Sequence, residues 1–276
     1  MKTWFITGIS RGLGLALAEA ALARGDTVVG TVRSHAPDLS AGPGTLHVLQ
    51  LDVTDGEATA RAVEDAFGLA GGRLDVIVNN AGYGLLGALE DATEEEGQRL
   101  FATDVFGPVR VIRAALPRLR AQGDGHIVNV TSIAGRAPGP ASTLYAAAKS
   151  ALEGLSASLS QEVAPLGLKV TAVAPGAFRT DFLTEHSIRY SEAISDVYAQ
   201  TAGKALQAFA GMDGRQQGDP KLAATAILEI VDADDPPLHL LLGSDALRRA
   251  KAKLAAVQAE IEQWEALTLS TDFPAN

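Results

Sequence analysis

Seven short apolar runs rich in β-branched residues punctuate the chain: TWFIT, DTVVGTVR, LHVLQLDV, LDVIVNN, GHIVNVTS, LKVTAVAP and LHLLLG. Each is too continuous for a strand with one wet face and too short for an ordinary helix. Strands buried on both faces of a parallel sheet read this way. Between them lie Ala- and Leu-rich stretches with helical spacing, over Leu13–Arg24, Glu57–Phe67, Thr93–Ala121, Thr143–Leu166, Pro220–Val231 and Asp245–Leu267. This alternation predicts an α/β fold, a parallel sheet of about seven strands with helices on both faces. No internal repeat, low-complexity tract or Pro/Gly/Ser-rich linker divides the chain, so residues 1–276 are expected to form one domain. The segment 178–218 delays the next helix after a strand and reads as an insertion.

Composition narrows the function classes. The 276 residues are 47% hydrophobic and 20% charged, an ordinary globular balance. The net charge of −10 argues against a nucleic-acid partner, which needs a basic face. With no cysteine, disulfides and thiol catalysis are excluded. The N-terminus, MKTWFITGIS, lacks the apolar core and cleavage site of a signal peptide, and no apolar run is long enough to span a bilayer. A cytoplasmic enzyme with no membrane partner is therefore expected. Five histidines (His35, His47, His126, His186, His239) show no metal-ligand spacing, so no metal is expected. No G-x-S-x-G turn points to hydrolysis.

Two stretches carry chemistry. The first apolar run leads directly into TGISRGLG, where Gly8, Gly12 and Gly14 fall between a strand and a helix. Such a turn lets backbone approach a ligand, and the helix beyond it offers unpaired N–H groups to an anion. The second is STLYAAAKSALEG. Tyr145 and Lys149 are four residues apart and share one helical face, with small alanines between them. An ammonium near a phenol favours the phenolate and lowers its pKa.

TGISRGLG, LDVTD at Leu51–Asp55, NNAG at Asn79–Gly82, Ser132, YAAAK at Tyr145–Lys149 and PGAFRT at Pro175–Thr180 occur in that order. Together they resemble the short-chain dehydrogenase/reductase family in its shorter single-domain branch. The resemblance covers at least Lys2–Asp181. It implies a Rossmann-like doubly wound sheet, a nicotinamide cofactor and transfer of hydride between that cofactor and a carbonyl or alcohol. In the family pattern Tyr145 protonates the carbonyl oxygen. Lys149 tunes Tyr145 and holds the nicotinamide ribose, and Ser132 steadies the developing oxyanion. Neighbouring Thr131 is equally placed for a hydroxyl role, and Ser132 also suits a turn cap. Cofactor contacts are implied for Gly8, Ser10, Arg11, Gly12, Leu13, Gly14, Asp52, Val53, Asn80, Ala81, Gly82, Pro175, Gly176, Phe178 and Thr180, besides Tyr145 and Lys149.

No acid follows the second strand where a ribose-recognising carboxylate would stand; Arg33 occupies that region. Arg33 and Arg11 suit a 2′-phosphate, so NADP(H) is expected over NAD(H), unless both are solvated surface charges. One position departs from the family. Where an asparagine commonly lies, TDVFG places Asp104. The family role belongs to the backbone carbonyl, which holds a water beside the lysine and survives the change. The Asp104 side chain is expected either to pair with Lys149 through water or to slow proton relay. Tyr83, Leu85 and Phe182 are candidate substrate-pocket walls. The aromatics of 178–218 suit a lid over an apolar pocket, or serve only to seat that segment. The resemblance also implies a homodimer or homotetramer through the two longest mid-chain helices. The rival readings are a cofactor-binding sensor that has lost turnover and a sugar-nucleotide epimerase or dehydratase. The second is disfavoured by the glycine spacing and the lack of a larger C-terminal substrate domain.

Overall fold

The computed structural model describes residues 1–40, 42–184, 187–193 and 195–273; His186 lies outside them. All seven expected strands form. They are β1 (Thr3–Thr7), β2 (Thr27–Val32), β3 (Thr45–Gln50), β4 (Val76–Asn79), β6 (Gly125–Val130), β7 (Leu168–Pro175) and β9 (His239–Leu242). They make one parallel sheet in the order β3-β2-β1-β4-β6-β7-β9, a Rossmann-like doubly wound topology. Two strands were not legible in the pattern: β5 (Gly84–Leu86) and β8 (Ile188–Tyr190) pair as a separate parallel ribbon. The helices are α1 (Gly12–Ala23), α2 (Gly56–Leu69), α3 (Glu94–Asp104), α4 (Phe106–Gln122), α5 (Ile133–Arg136), α6 (Thr143–Val163), α7 (Lys204–Ala210), α8 (Pro220–Asp232) and α9 (Ser244–Leu269). None of them is both long and apolar enough to cross a membrane.

Alternate residues of each strand face opposite layers. Trp4 and Ile6 of β1 are buried with Val28, Val78, Val128 and Val173 against α1 and α8. Phe5 faces the other way, with Val29, Ile77 and Ile127, against α2, α4 and α6. A strand that packs on both faces has no polar side to show, which is why the runs read as continuously apolar.

The single helix expected over Thr93–Ala121 is two helices. The apolar pattern runs through unbroken, but Val105 leaves helical geometry at φ −117° and ψ −59° between α3 and α4. Pro108 is the chemical reason. It has no N–H to give to the carbonyl four residues earlier, which belongs to Asp104. The insertion is tied to the main body by carboxylates ahead of α3 and in its first turn. Tyr198 Oη donates to Glu90 at 2.6 Å, Ser195 N to Asp91 at 3.1 Å and Glu192 N to Glu96 at 3.2 Å.

Inside β6, His126 is 4% exposed, and its Nε2 lies 2.9 Å from Thr171 Oγ1. Thr171 Oγ1 gives its own proton to Pro237 O, so Nε2 of a neutral ring is the donor. Burial, aided by Lys169 and Lys2, pushes the His126 pKa down to about 4 from its ordinary 6.5. The unfolded chain therefore takes up a proton that the folded chain refuses. Stability is fully present above pH 6.5 and falls as the pH drops toward 4. Urea unfolding at stepped pH should show a loss of about 3 kcal/mol across that window. His126→Leu should flatten the slope by that amount, and an unchanged slope would contradict the assignment.

Candidate active site

In an open parallel sheet, ligands bind beyond the strand carboxyl ends, where strand order reverses. Here the reversal lies between β1 and β4. β1 ends at Thr7, whose buried Oγ1 accepts the backbone N–H groups of Asn80 and Ala81 at 3.0 Å each. Asn80 Nδ2 donates to Thr7 O and Gly8 O, both at 2.9 Å. The NNAG loop and the glycine turn are thus fastened to each other. Gly12 opens α1 at φ +61°, a left-handed conformation that suits glycine. Gly14 is needed for another reason: a Cβ there would lie 2.3 Å from both Gly8 O and Asn80 Nδ2. Arg11 starts α1 with no side-chain cap, and no acid occupies the first turn. The positive end of the helix is left open to an anion beside exposed Ser10 and half-buried Arg11 and Leu13.

The other expected cofactor residues surround this turn. Thr180 comes to the glycine turn, its Cβ 3.7 Å from where a Cβ on Gly12 would stand. Pro175 ends β7, and Gly176 N donates to Leu242 O at 2.8 Å. The Phe178 ring packs beside Gly218 and Gly243 at the edge of the core. Arg33 follows β2 with its side chain exposed, while its carbonyl is held by Gln50 Nε2 at 2.9 Å. Asp52 is exposed and accepts Thr54 N and Oγ1 at 2.9 and 2.7 Å; Val53 is buried.

Tyr145 and Lys149 share the inner face of α6 and are 8% and 6% exposed. Lys149 Nζ lies 5.7 Å from the Tyr145 ring centroid, donates to Val130 O at 3.2 Å and sits 3.0 Å from Asp104 Oδ2. The Asp104–Lys149 contact is direct, where the sequence suggested a bridging water. Asp104 is 1% exposed, and its Oδ1 also accepts Tyr83 N at 3.1 Å. Gly82 passes beside the same carboxylate. Ser132 begins α5, and its Oγ accepts Ala134 N at 3.1 Å.

The electrostatics are more balanced than the Tyr–Lys spacing alone implies. Burial raises the Tyr145 pKa, Lys149 lowers it, Asp104 raises it again and Ser132 lowers it; the net shift is upward. Burial raises the Asp104 pKa against the pull of Lys149. Burial works against the charge on Lys149, but the Asp104 and Tyr145 charges carry its pKa above the ordinary value. By geometry Lys149 and Asp104 are a buried ion pair beside the phenol, ammonium and carboxylate 3.0 Å apart. The expectation of a lowered Tyr145 pKa captured the lysine and missed both burial and the opposing carboxylate.

Of the candidate walls, Phe182 lies against Tyr145 with ring centroids 6.0 Å apart. Leu85 is buried in one cluster with Tyr145, and half-buried Tyr83 packs against that cluster. The sequence reading missed Thr7, Asp245 and Glu153. Asp245 Oδ2 accepts Ala177 N at 3.0 Å and so fixes the loop after β7. Glu153 continues the face of Tyr145 and Lys149 by one more turn, a spacing that was visible in the sequence. Its carboxylate takes Arg136 Nε at 3.0 Å, the Thr131 hydroxyl and His239 Nδ1 at 3.3 Å. One further turn along, Ser156 Oγ accepts Asn129 Nδ2 at 2.8 Å, and Asn129 Oδ1 accepts Asn79 Nδ2 at 2.8 Å.

The family model for short chain dehydrogenases matches residues 2–190. An oxidoreductase, BOA17, of Botryotinia fuckeliana is 37% identical over 98% of this chain and 99% of its own. The crystal structure of a short-chain dehydrogenase from Streptomyces avermitilis superposes with a TM-score of 0.90 at 43% identity, over 99% of this chain and 98% of that one. ElxO with NADP bound has a TM-score of 0.74 at 27% identity, over 90% of this chain and 100% of that one.

Proposed function

The chain belongs to the short-chain dehydrogenase/reductase family and is an oxidoreductase, and on that premise we propose that it interconverts a ketone or aldehyde and its alcohol with NADP(H). The observation that carries this reading is the meeting of buried Tyr145 and Lys149 with Ser132 at the sheet edge that also bears the glycine turn. The residues fit a dinucleotide. The uncapped start of α1 would receive its phosphates, and the backbone at Gly14 has no room for a side chain. Asn80, Ala81 and Gly82 would hold the adenosine ribose, and Asp52 and Val53 the adenine.

When bound, the nicotinamide supplies the hydride. Tyr145 Oη gives its proton to the carbonyl oxygen, completing the alcohol, while Ser132 Oγ hydrogen-bonds that oxygen and steadies its charge. Lys149 Nζ holds positive charge beside the phenolate. The Asp104 carbonyl, which Pro108 cannot engage, is free to hold the water that returns a proton to the site. Segment 178–218 is the lid of a single catalytic domain, and Phe182, Tyr83 and Leu85 wall an apolar pocket. The phosphate-selective contacts fall to Arg33 and Arg11, because no carboxylate stands where a free ribose hydroxyl would be read; the NADP held by ElxO supports a nicotinamide cofactor. The direct Asp104–Lys149 contact favours one alternative, a sensor that binds NADP(H) and turns over weakly.

The deciding experiment follows NADPH oxidation by absorbance across aliphatic, aromatic and steroid-like ketones and quinones. Tyr145→Phe should lower kcat by roughly 10²–10⁴-fold with cofactor binding retained. Tight NADPH binding with no turnover on any of these substrates would favour the sensor. Arg33→Asp should reduce the preference for NADPH over NADH by about 10–100-fold, the worth of one charge-assisted hydrogen bond; an unchanged ratio would remove Arg33 from the phosphate site. Asp104→Asn removes the carboxylate that raises the Tyr145 pKa. Reduction needs a protonated Tyr145, so the alkaline limb of its kcat/KM profile should move to lower pH. A limb that stays put would free Asp104 of that role.

A further inference from the structure

Helix α9 begins inside the fold and ends outside it. Ala246 and Ala250 in its first turns are buried with Ile133 of α5 and Ala137 just after it, and Leu241 of β9 packs against them. Arg249 Nη2 donates to Ala137 O at 2.6 Å. From Lys251 to Leu269 no residue is buried. At 1.5 Å per residue this is about 28 Å of helix with no support from the rest of the chain.

The apolar stripe continues where the support stops. Leu247, Ala250, Leu254, Val257, Ile261 and Trp264 recur at alternating steps of three and four, the a/d spacing of a paired helix. Leu254, Ile261 and Trp264 are 69%, 60% and 57% exposed. Side chains of this size in one line form an apolar patch of the kind that marks an interaction surface.

Charge is sorted along the same helix. Arg248, Arg249, Lys251 and Lys253 occupy its first half; Glu260, Glu262 and Glu265 occupy its second, which has no base. A parallel copy would set like charges over like. An antiparallel copy sets each basic half over an acidic half, and a two-fold axis closes the pair. An anionic bilayer would instead repel the half that bears Ile261, Trp264, Leu267 and Leu269. We propose that α9 is a docking surface for a second copy of this chain, the two helices pairing antiparallel through the Leu254–Trp264 stripe.

Charge reversal tests this directly. Four charged residues lie directly beside the stripe, Lys251, Lys253, Glu260 and Glu265; Lys251→Glu/Lys253→Glu makes all four acidic and Glu260→Lys/Glu265→Lys makes all four basic. All four residues are exposed and lie beyond Ala250, the last buried residue of α9, so both variants should keep native circular dichroism. By light scattering coupled to gel filtration, each variant alone should show half the wild-type mass. An equimolar mixture should restore it. Leu254→Ala/Trp264→Ala should weaken self-association at least tenfold. Variants that keep the wild-type mass, or a mixture that fails to restore it, would overturn the proposal. So would wild-type protein that stays monomeric and instead co-sediments with vesicles of phosphatidylglycerol and phosphatidylcholine.

Discussion

One buried ammonium organises the centre of the molecule. Taking a lysine out of water costs several kcal/mol unless opposite charge and acceptors are supplied. Lys149 receives both, from Asp104 at 3.0 Å and Val130 O at 3.2 Å. Each partner belongs to a different piece of the fold. Asp104 closes α3, Val130 closes β6, and Lys149 rides on α6. Asp104 also takes the Tyr83 N–H, so the loop after β4 joins the same cluster. Four segments distant in sequence are therefore held in register by a single charge that has nowhere else to go.

The same arrangement sets how tightly the phenol holds its proton. A lone lysine beside Tyr145 would make the phenol a stronger acid. Burial outweighs that field and Asp104 cancels part of it, so Tyr145 holds its proton more tightly than an exposed tyrosine. Stability of the buried pair and acidity of the phenol pull in opposite directions. Asp104, at the position where the resemblance implies an asparagine, is where that balance is struck.

Strand identity was legible because burial on both faces leaves an unambiguous trace, a continuous apolar run. The glycine turn and the Tyr–Lys pair were legible because their spacing survives in one dimension. The break at Val105 was not, since apolar periodicity runs through it; only Pro108 hinted at it, by a missing donor. The β5–β8 ribbon escaped because three-residue strands are too short to show alternation. Asp104 was singled out by its departure from a pattern, but its direct contact with Lys149 depends on how two helices approach. Thr7 and Asp245 act across tertiary space, and their residue types are common in turns, so nothing local set them apart; Glu153 carried a local signal, its four-residue step from Lys149, but its partners Arg136, Thr131 and His239 did not.

Helix α6 presents Tyr145, Lys149, Glu153 and Ser156 as one inward polar row. Every member is buried, and each is matched to a different neighbour. An added or deleted residue within this row would turn everything beyond it by about 100° and detach those partners together. A substitution at an outward position of α6 leaves these contacts in register; a change in the number of residues from Tyr145 to Ser156 does not. In this stretch the helix serves as a ruler, and what it must hold is a count rather than a composition.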